Sequence, residues 1–363
     1  MKKIIFYNPS FETGGVEKNI FSFFEHCKNL NYDPVLLTTD KILYQNNNFN
    51  YETYPYKKFN LKNRLLKYLI SFYYLIKLSL NNDCLIISFQ NNIFAIITSI
   101  ITKKKIIIRL NTSPEKYIKS IFYKYFFKFF YKYADLILVN DLDFKKNIKK
   151  FFNLESFIVH NFVEEKYIKN KSKEKLKDNF FDKKKHLNLV SIGRLTDQKD
   201  HITILKAINY SKKKNKIRML IIGSGYKKNF LENYIKSNSL EKIVKLIDYK
   251  KNPYNYISSS DCLILSSKYE GSPNVLLEAA VLKKLIISSN CKTGPKQIIS
   301  NGKGGYLFEV GKYKKLSKII DDLNLSKKEI KTKINFSYKS VKKYSKFNQK
   351  KELMFALKKI RGK

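Results

Sequence analysis

Short apolar runs alternate with amphipathic, helix-like segments along this chain, and the alternation starts afresh near the middle. In the first half, strand-like runs at 2–7, 34–38, 84–89, 105–109 and 135–139 alternate with helix-like segments at 15–29, 61–80, 115–132 and 142–151. A second series begins at 187–192 and continues to 284–288. Strands that alternate with helices are typical of doubly wound parallel sheets. The pattern predicts an α/β fold.

The length of the chain and its two series of elements predict two domains. A chain of 363 residues is long enough for two, because domains average roughly 150 residues. We expect an N-terminal Rossmann-like domain over 1–165 and a second Rossmann-like domain over 187–340. The Lys-rich, glycine-free stretch 166–186 is the expected linker, and 341–363 are expected to form closing helices that pack back toward the first domain.

Glycines are rare in this sequence and mark the junctions between strand-like and helix-like segments. There are twelve, and none lies between Gly15 and Gly193. Gly14 and Gly15 follow the first apolar run, and Gly193, Gly223 and Gly271 follow later ones. In open parallel sheets, ligands bind beyond the carboxyl ends of the strands, where helix N-termini offer N–H groups to anions. These junctions are therefore the expected ligand-binding positions.

The basic excess of the chain raises nucleic acid as a partner, but the composition argues against it. Lys and Arg total 72 against 30 Asp and Glu, and only five of the 72 are Arg. Proteins that read phosphates and bases rely on the bidentate Arg fork, and no nucleic-acid motif accompanies the charge. We therefore expect no nucleic-acid partner. A basic nucleic-acid-binding protein is the weakest of the three functional hypotheses that the sequence allows.

Cysteine, histidine and hydropathy patterns indicate a cytoplasmic protein. The four Cys form no CxxC pair and the four His form no HxxxH pair, so neither disulfides nor a zinc site is predicted. The first apolar run ends at Asn8-Pro9, too soon for a signal peptide. The longest apolar stretch, 84–101, is interrupted by Gln90-Asn91-Asn92, short of the roughly 18 residues a membrane span requires.

The segment 266–280 carries the most specific chemistry in the sequence. Ser272-Pro273 resembles a helix N-cap, after which the backbone N–H groups of Asn274, Val275 and Leu276 would form an anion site. Glu278 lies about one turn further on, where a carboxylate can accept two hydrogen bonds from a ribose diol.

Three charged residues complete this pattern. Glu270 precedes the expected cap and is placed to meet a second polyhydroxylated group. Upstream, Gly193-Arg194-x4-Lys199 sets two cations after a strand end, which suits a diphosphate whose negative charge grows as it leaves.

Taken together, these motifs resemble the retaining glycosyltransferases of family 4, which have the GT-B fold of two Rossmann-like domains facing a cleft. The resemblance covers most of residues 1–310 and extends to bacterial enzymes that assemble capsule, lipopolysaccharide or lipid-linked glycans. It is carried by Glu270-x7-Glu278, Gly193-Arg194-x4-Lys199, Gly14-Gly15-Val16-Glu17, Asn252-Pro253-Tyr254, Ser260-Asp261 and Thr293-Gly294-Pro295-Lys296.

The resemblance implies a role for each of these residues in transfer from a nucleotide diphosphate sugar, with a UDP-sugar favoured. Arg194 and Lys199 would bind the diphosphate, Glu278 the ribose and Glu270 the sugar hydroxyls. Glu270, Arg194 and Lys199 are the implied catalytic residues. The implied donor-binding set is Gly14, Gly15, Gly193, Arg194, Lys199, Ser272, Asn274, Val275, Leu276 and Glu278. No metal and no cofactor beyond the nucleotide-sugar co-substrate are implied.

The implied acceptor is a surface glycan or a lipid-linked oligosaccharide, and the acceptor side is where this chain departs from the family. Many members have a His after the fourth strand of the first domain, whereas this chain reads Ile108-Arg109-Leu110-Asn111, so Arg109 or Asn111 is expected in that place. A sugar-nucleotide epimerase of the same architecture stays as the second functional reading.

Two further patterns have competing interpretations. Asp141-x-Asp143 matches a metal-binding motif of another glycosyltransferase fold, but acidic residues that open a helix are expected from capping, which we favour. Residues 117–133 combine lysines with more aromatic and apolar side chains than one core-facing stripe of a helix requires. This mix is consistent with a peripheral contact with the anionic inner membrane, or with a thick helix packed in the first core.

Overall fold

The computed structural model describes residues 2–11, 15–40, 53–54, 63–112, 114, 118, 120–176, 180–182 and 185–361. The chain divides into two compact units, each built on one parallel sheet. Unit 1 comprises Met1–Phe162 and Lys346–Lys363, and unit 2 comprises Val163–Ser345.

Unit 1 contains a seven-stranded sheet in the order β3-β2-β1-β4-β5-β6-β7. The strands are β1 (Lys3–Tyr7), β2 (Asp33–Leu37), β3 (Thr53–Tyr54), β4 (Cys84–Ser88), β5 (Ile106–Arg109), β6 (Leu136–Val139) and β7 (Phe157–Ile158). The helices between them are α1 (Gly15–Lys28), α2 (Arg64–Leu80), α3 (Asn92–Thr102), α4 (Ile121–Tyr131) and α5 (Leu142–Phe152). The strand order changes direction between β1 and β4, which is where ligands bind in such sheets.

Helix α3 is absent from the elements that the sequence predicts. The apolar runs before and after it were expected as successive strands with nothing between them, yet β4 and β5 pair in parallel. Parallel neighbours require a crossover connection, and α3 supplies it. The helix starts directly after Gln90 and Asn91, the same polar residues that interrupt the long apolar stretch.

Unit 2 contains a six-stranded sheet in the order β10-β9-β8-β11-β12-β13. The strands are β8 (Leu187–Ile192), β9 (Ile217–Ile222), β10 (Val244–Ile247), β11 (Cys262–Leu265), β12 (Leu285–Ser289) and β13 (Tyr306–Phe308). The helices are α6 (Glu165–Ser172), α7 (His201–Tyr210), α8 (Lys228–Ser237), α9 (Tyr254–Ser259), α10 (Asn274–Val281), α11 (Pro295–Ile298), α12 (Tyr313–Asp322) and α13 (Lys328–Ser340). All strand pairs in both sheets are parallel, so the predicted α/β class with two doubly wound sheets is confirmed.

The two faces of the unit 2 sheet pack into separate apolar clusters. Successive strand residues point to opposite faces, so Leu189 of β8 joins one cluster and Val190 joins the other. In β11, Ile264 and Leu263 divide in the same way. Because both faces are covered, the strands are largely apolar, with single polar residues such as Asn188 in β8 and Arg218 in β9, and they appear in the sequence as apolar runs.

Two segments at the edges of the expected domains have a defined place. Within the stretch expected as a linker, α6 packs against α9 and α10 as part of unit 2. The last helix, α14 (Lys346–Arg361), belongs to unit 1, where Leu353 and Leu357 lie in the same apolar cluster as Phe6 of β1. In the part of the chain that the structure describes, no helix is both long enough and apolar enough to cross a bilayer.

Candidate active site

Two loops at the carboxyl edge of the unit 2 sheet are tied together by hydrogen bonds. They follow β8 and β11, neighbouring strands between which the strand order changes direction. The Ser266 hydroxyl donates to the backbone oxygen of Lys199 at 2.8 Å, and Lys268 N donates to the backbone oxygen of Gln198 at 2.8 Å. Gln198 Nε2 donates to the Tyr269 oxygen at 3.0 Å. The loops thus form one bonded assembly at the edge where ligands bind in this fold.

Lys199 and Glu270 meet within this assembly as an ion pair. Lys199 Nζ lies 2.5 Å from Glu270 Oε1, and the side chains are 16% and 7% exposed. The Ser267 hydroxyl donates to the same carboxylate oxygen at 2.5 Å, and the Thr293 hydroxyl donates to the backbone oxygen of Glu270. A charge-assisted bond in a largely desolvated setting fixes both groups in position. The family resemblance assigns Lys199 to the diphosphate and Glu270 to the sugar of one donor. The structure shows that these two side chains are in direct contact.

Glu278 is the buried carboxylate of a helix whose other residues are largely apolar. It lies in α10, where Leu277 and Ala279 on either side are fully buried. The Tyr254 hydroxyl, at the start of α9, donates to Glu278 Oε1 at 3.4 Å. Each carboxylate oxygen can accept more than one hydrogen bond, so a carboxylate at this position is suited to a polyhydroxyl ligand.

Helix α10 begins one residue later than the sequence predicts. Pro273, rather than Ser272, occupies the N-cap position, with φ −72° and ψ 101°, and Asn274 is the first helical residue. The backbone N–H of Leu276 donates to the Pro273 oxygen at 3.0 Å. The Leu276 N–H is thus used inside the first turn of α10, whose first two residues are Asn274 and Val275.

Glycines allow the loops around the site to approach one another closely. A Cβ on Gly223 would lie 1.9 Å from the Gly193 oxygen, and one on Gly294 would lie 2.4 Å from the Gly271 oxygen. Gly294 also has φ +86°, a conformation that favours glycine. A Cβ on Gly193 would lie 3.4 Å from the aliphatic part of Lys199, and Arg194 next to it is exposed.

His201 lies buried behind the cationic loop at the start of α7. Its Nδ1 is 3.3 Å from the Ser191 hydroxyl oxygen, and the residue is 3% exposed. Burial, together with the positive charge of Lys199, lowers the pKa of His201 to about 4. The ring is therefore neutral at physiological pH and supports the loop without adding charge.

The structure describes two of the three unit 1 candidates Gly14, Gly15 and Arg109. Gly14 lies outside the described residues, and Gly15 opens α1. Arg109 is wholly buried: its guanidinium lies 4.9 Å from the Phe23 ring centroid, and Nη2 donates to Asn161 Oδ1 at 2.9 Å. Burial lowers the pKa of Arg109 to about 10. This guanidinium is enclosed rather than presented to a ligand.

Asn111 and Asp141 complete the unit 1 candidates. Asn111 is half-buried, and its Nδ2 donates to the Phe89 oxygen at 2.9 Å. Asp141 caps α5, because its Oδ1 accepts from Phe144 N at 2.7 Å, so the capping interpretation of Asp141-x-Asp143 is confirmed. Burial raises the pKa of Asp141 to about 6. Among the residues described, no cluster of His, Cys, Asp and Glu could hold a metal ion.

Sequence reasoning missed three partners of the paired carboxylates. Ser267 and Thr293 hold Glu270, and Tyr254 contacts Glu278. Tyr254 and Thr293 occur in the motifs that carry the family resemblance, so their positions in those motifs were the available signal. Nothing in the sequence distinguished Ser267 except its position in the segment that follows β11.

Comparison with known proteins agrees with this geometry. Residues 172–342, nearly all of unit 2, match the family model described as glycosyl transferases group 1. The family resemblance read from the sequence is thereby confirmed.

Relatives and solved structures extend the comparison. An uncharacterized glycosyltransferase of Methanocaldococcus jannaschii is 35% identical over 49% of this chain and 44% of its own length. The Campylobacter jejuni N-acetylgalactosamine-N,N'-diacetylbacillosaminyl-diphospho-undecaprenol 4-alpha-N-acetylgalactosaminyltransferase is 28% identical over 57% of each protein. The chain thus spans about half the length of these curated relatives. Anabaena HepE, solved in complex with UDP, has a TM-score of 0.80 at 14% identity over 99% of this chain and 100% of its own. At that identity the likeness shows the fold alone, which confirms the predicted GT-B architecture.

Proposed function

We propose that the chain is a retaining glycosyltransferase that moves a hexose or N-acetylhexosamine from a nucleotide diphosphate sugar to a bacterial glycan or lipid-linked oligosaccharide. The observation that carries the proposal is the ion pair of Lys199 and Glu270 at the carboxyl edge of the unit 2 sheet, with the buried Glu278 in the helix that follows. Cation, helix N-terminus and two carboxylates match the diphosphate, the sugar and the ribose of such a donor.

Each group has one task in this proposal. Lys199 and the exposed Arg194 bind the diphosphate, with Gly193 allowing its approach. The N-terminus of α10 at Ser272, Asn274 and Val275 adds N–H groups to the same anion. Glu278 accepts hydrogen bonds from the ribose diol. Glu270 orients the sugar hydroxyls.

The chemical step needs stabilisation of the leaving group more than it needs a base. The bond between the anomeric carbon and the diphosphate breaks, the acceptor hydroxyl forms a new bond on the same face, and its proton passes to the departing phosphate oxygen. Negative charge therefore develops on the diphosphate, next to Lys199. Before the reaction, Glu270 already holds the Lys199 ammonium group and Ser267 holds Glu270. Little reorganisation of these side chains is therefore required during the reaction.

A UDP-sugar is the favoured donor, and a lipid-linked glycan is a favoured acceptor. The fold-level neighbour HepE is solved with UDP, and the Campylobacter relative is named for a diphospho-undecaprenol substrate. In unit 1, Asn111 is the remaining acceptor-side candidate, since Arg109 is enclosed. We place the enzyme in the cytoplasm, at the inner membrane that carries such acceptors.

A nucleotide panel tests the donor class. UDP, GDP and CMP, with their common sugar conjugates, are added to the full chain with and without EDTA, and the melting temperature is measured. A ligand that binds only the folded protein raises it. We expect one nucleotide diphosphate to stabilise the wild type in EDTA and Glu278→Ala to lose the response, whereas the exposed control Glu309→Ala retains it. If no nucleotide stabilises the wild type, the proposal fails.

A further inference from the structure

Three helices of unit 1 expose an unusual amount of apolar surface on adjacent elements. Helices α2, α3 and α4 pack side by side, α2 against α3 and α3 against α4. They carry half of the large hydrophobic side chains that are exposed among the described residues. Those side chains are Leu65, Leu66, Leu69, Tyr73, Leu80, Ile100, Ile101, Ile121, Phe122, Tyr123, Tyr125, Phe126 and Phe129. Apolar patches of this kind mark sites where a partner covers the surface.

Helix α4 shows most directly that this surface has no role in the core. Of its eleven residues, Tyr131 alone is buried, although the helix sequence is aromatic or aliphatic apart from two lysines. Phe122, Tyr125 and Phe129 lie three or four residues apart along one face and are 70%, 59% and 52% exposed. A helix that only completed a core would direct its apolar face inward. Helix α4 therefore has a second apolar face that is directed to solvent.

The charge of this surface identifies the chemistry of the partner. None of the three helices contains an Asp or Glu, whereas α4 carries Lys124 and Lys128, and Lys132 follows it directly. Lys132 Nζ lies 4.8 Å from the centroid of the Phe129 ring. Lysines placed beside exposed aromatic rings suit a layer that is apolar within and anionic at its surface.

We propose that α2, α3 and α4 form a docking surface for an anionic lipid bilayer, in which the aromatic face of α4 enters the interface and the lysines contact phosphate headgroups. This surface lies in unit 1 and is separate from the donor site, so it does not depend on the donor chemistry. It would hold the enzyme where a lipid-linked acceptor is carried.

The absence of tryptophan from the sequence permits a specific test. Phe122→Trp places a single tryptophan on the proposed surface, and its emission can be excited selectively over that of the 26 tyrosines. Phe347→Trp is the matched control, because Phe347 is an exposed phenylalanine (64%) of unit 1 with a lysine, Lys351, over its ring. Each full-length variant is mixed with vesicles of phosphatidylglycerol and phosphatidylcholine in equal parts, or of phosphatidylcholine alone, with brominated lipids as quenchers.

We expect Phe122→Trp emission to shift to the blue and to be quenched by brominated lipid in the anionic vesicles, whereas Phe347→Trp emission stays unchanged. Replacement of Lys124, Lys128 and Lys132 by Gln in the Phe122→Trp background should weaken vesicle binding by about tenfold or more, since each lysine near an anionic surface adds to the attraction. Melting curves establish that every variant is folded.

Four results would overturn the proposal. They are no shift with either vesicle, an equal shift of the Phe347→Trp control, an unchanged affinity of the lysine variant, and a concentration-dependent shift without vesicles. The last would show that a second copy of the chain covers the surface. A protein that binds UDP but no vesicles would contradict this proposal alone, so its failure is distinguishable from failure of the donor site.

Discussion

The ion pair between Lys199 and Glu270 makes each side chain dependent on the other. Both are largely buried, so removal of one partner leaves the other desolvated and without its opposite charge. We predict that Lys199→Met lowers the free energy of unfolding by about 1–3 kcal/mol, and that the double variant with Glu270→Gln recovers part of this loss. Urea denaturation of the two single variants and the double variant measures the coupling. Additive losses would contradict the predicted coupling.

The buried imidazole of His201 makes stability depend on pH. The unfolded chain takes up a proton at the ordinary histidine pKa of about 6.5, whereas the folded protein does so only at about 4. The unfolded state therefore binds more protons in this window, and stability falls as the pH drops through it.

The variant His201→Gln tests this dependence. It lacks the titrating group, so its stability relative to the wild type should improve by about 1–2 kcal/mol between pH of about 7 and about 5. Contributions from His26, whose pKa is also lowered to about 4 by burial, are present in both proteins and cancel. Urea denaturation at the two pH values gives the difference. A constant difference would show that His201 does not titrate in this way.

The sequence singles out the candidate site residues but not how they are paired. Glu270, Glu278 and Lys199 stand out because their residue types and spacing match a diphosphate sugar. The contact between Lys199 and Glu270 spans 71 positions, and only the neighbouring strands β8 and β11 bring it about. The burial of Arg109 involves Phe23 of α1, which is distant in sequence. The residues around Arg109 therefore could not predict it.

Secondary structure elements were predictable where their periodicity was clear and their ends were marked. Most strands appear as largely apolar runs because helices cover both faces of each sheet. The short strands β3, β7 and β13 were not predicted, because two or three residues are too few to form a recognisable pattern. Helix α3 was missed because its polar side chains Thr98, Ser99 and Thr102 are buried while Ile100 and Ile101 are exposed, the reverse of the pattern that identifies an amphipathic helix in a sequence. The start of α10 shifted by one residue because Pro273 takes the extended N-cap conformation that the sequence assigned to Ser272.

The turn after β9 depends on the absence of a side chain at Gly223. A Cβ there would lie 1.9 Å from the backbone oxygen of Gly193, which is not an adjustable side-chain atom. We predict that Gly223→Ala destabilises the protein by about 2 kcal/mol or more and weakens donor binding, because the loop carrying Arg194 and Lys199 must move.

Gly311→Ala is the matched control for Gly223→Ala. Its Cβ would meet nothing within 4 Å, and only its φ of +75° opposes the substitution. Its expected cost is about 1 kcal/mol, with nucleotide binding unchanged. Thermal unfolding with and without UDP distinguishes the two variants. Equal costs for both would contradict the close-approach argument.

At the scale of the molecule, the last helix makes unit 1 depend on both ends of the chain. Leu353 of α14 is fully buried in the cluster that contains Phe6 and Ile20, and Gln349 Nε2 donates to the Asn19 amide oxygen at 2.9 Å. We predict that Leu353→Ala costs unit 1 about 2–4 kcal/mol through the cavity it leaves. Hydrogen exchange should show lost protection in β1 and β4 but not in β8 and β11. Equal loss in both sheets would contradict independent stabilities of the two units.

We propose that unit 2 binds a nucleotide sugar through its carboxylates and cations, and calorimetric titration of the donor measures this binding. The nucleotide sugar selected by the panel is titrated in EDTA into the wild type, Glu278→Gln and the exposed control Glu309→Gln. We predict binding to the wild type and the control, and affinity at least about tenfold weaker for Glu278→Gln, because the buried carboxylate loses charge-assisted bonds to the diol. Equal affinity for all three proteins would contradict binding through the Glu278 carboxylate.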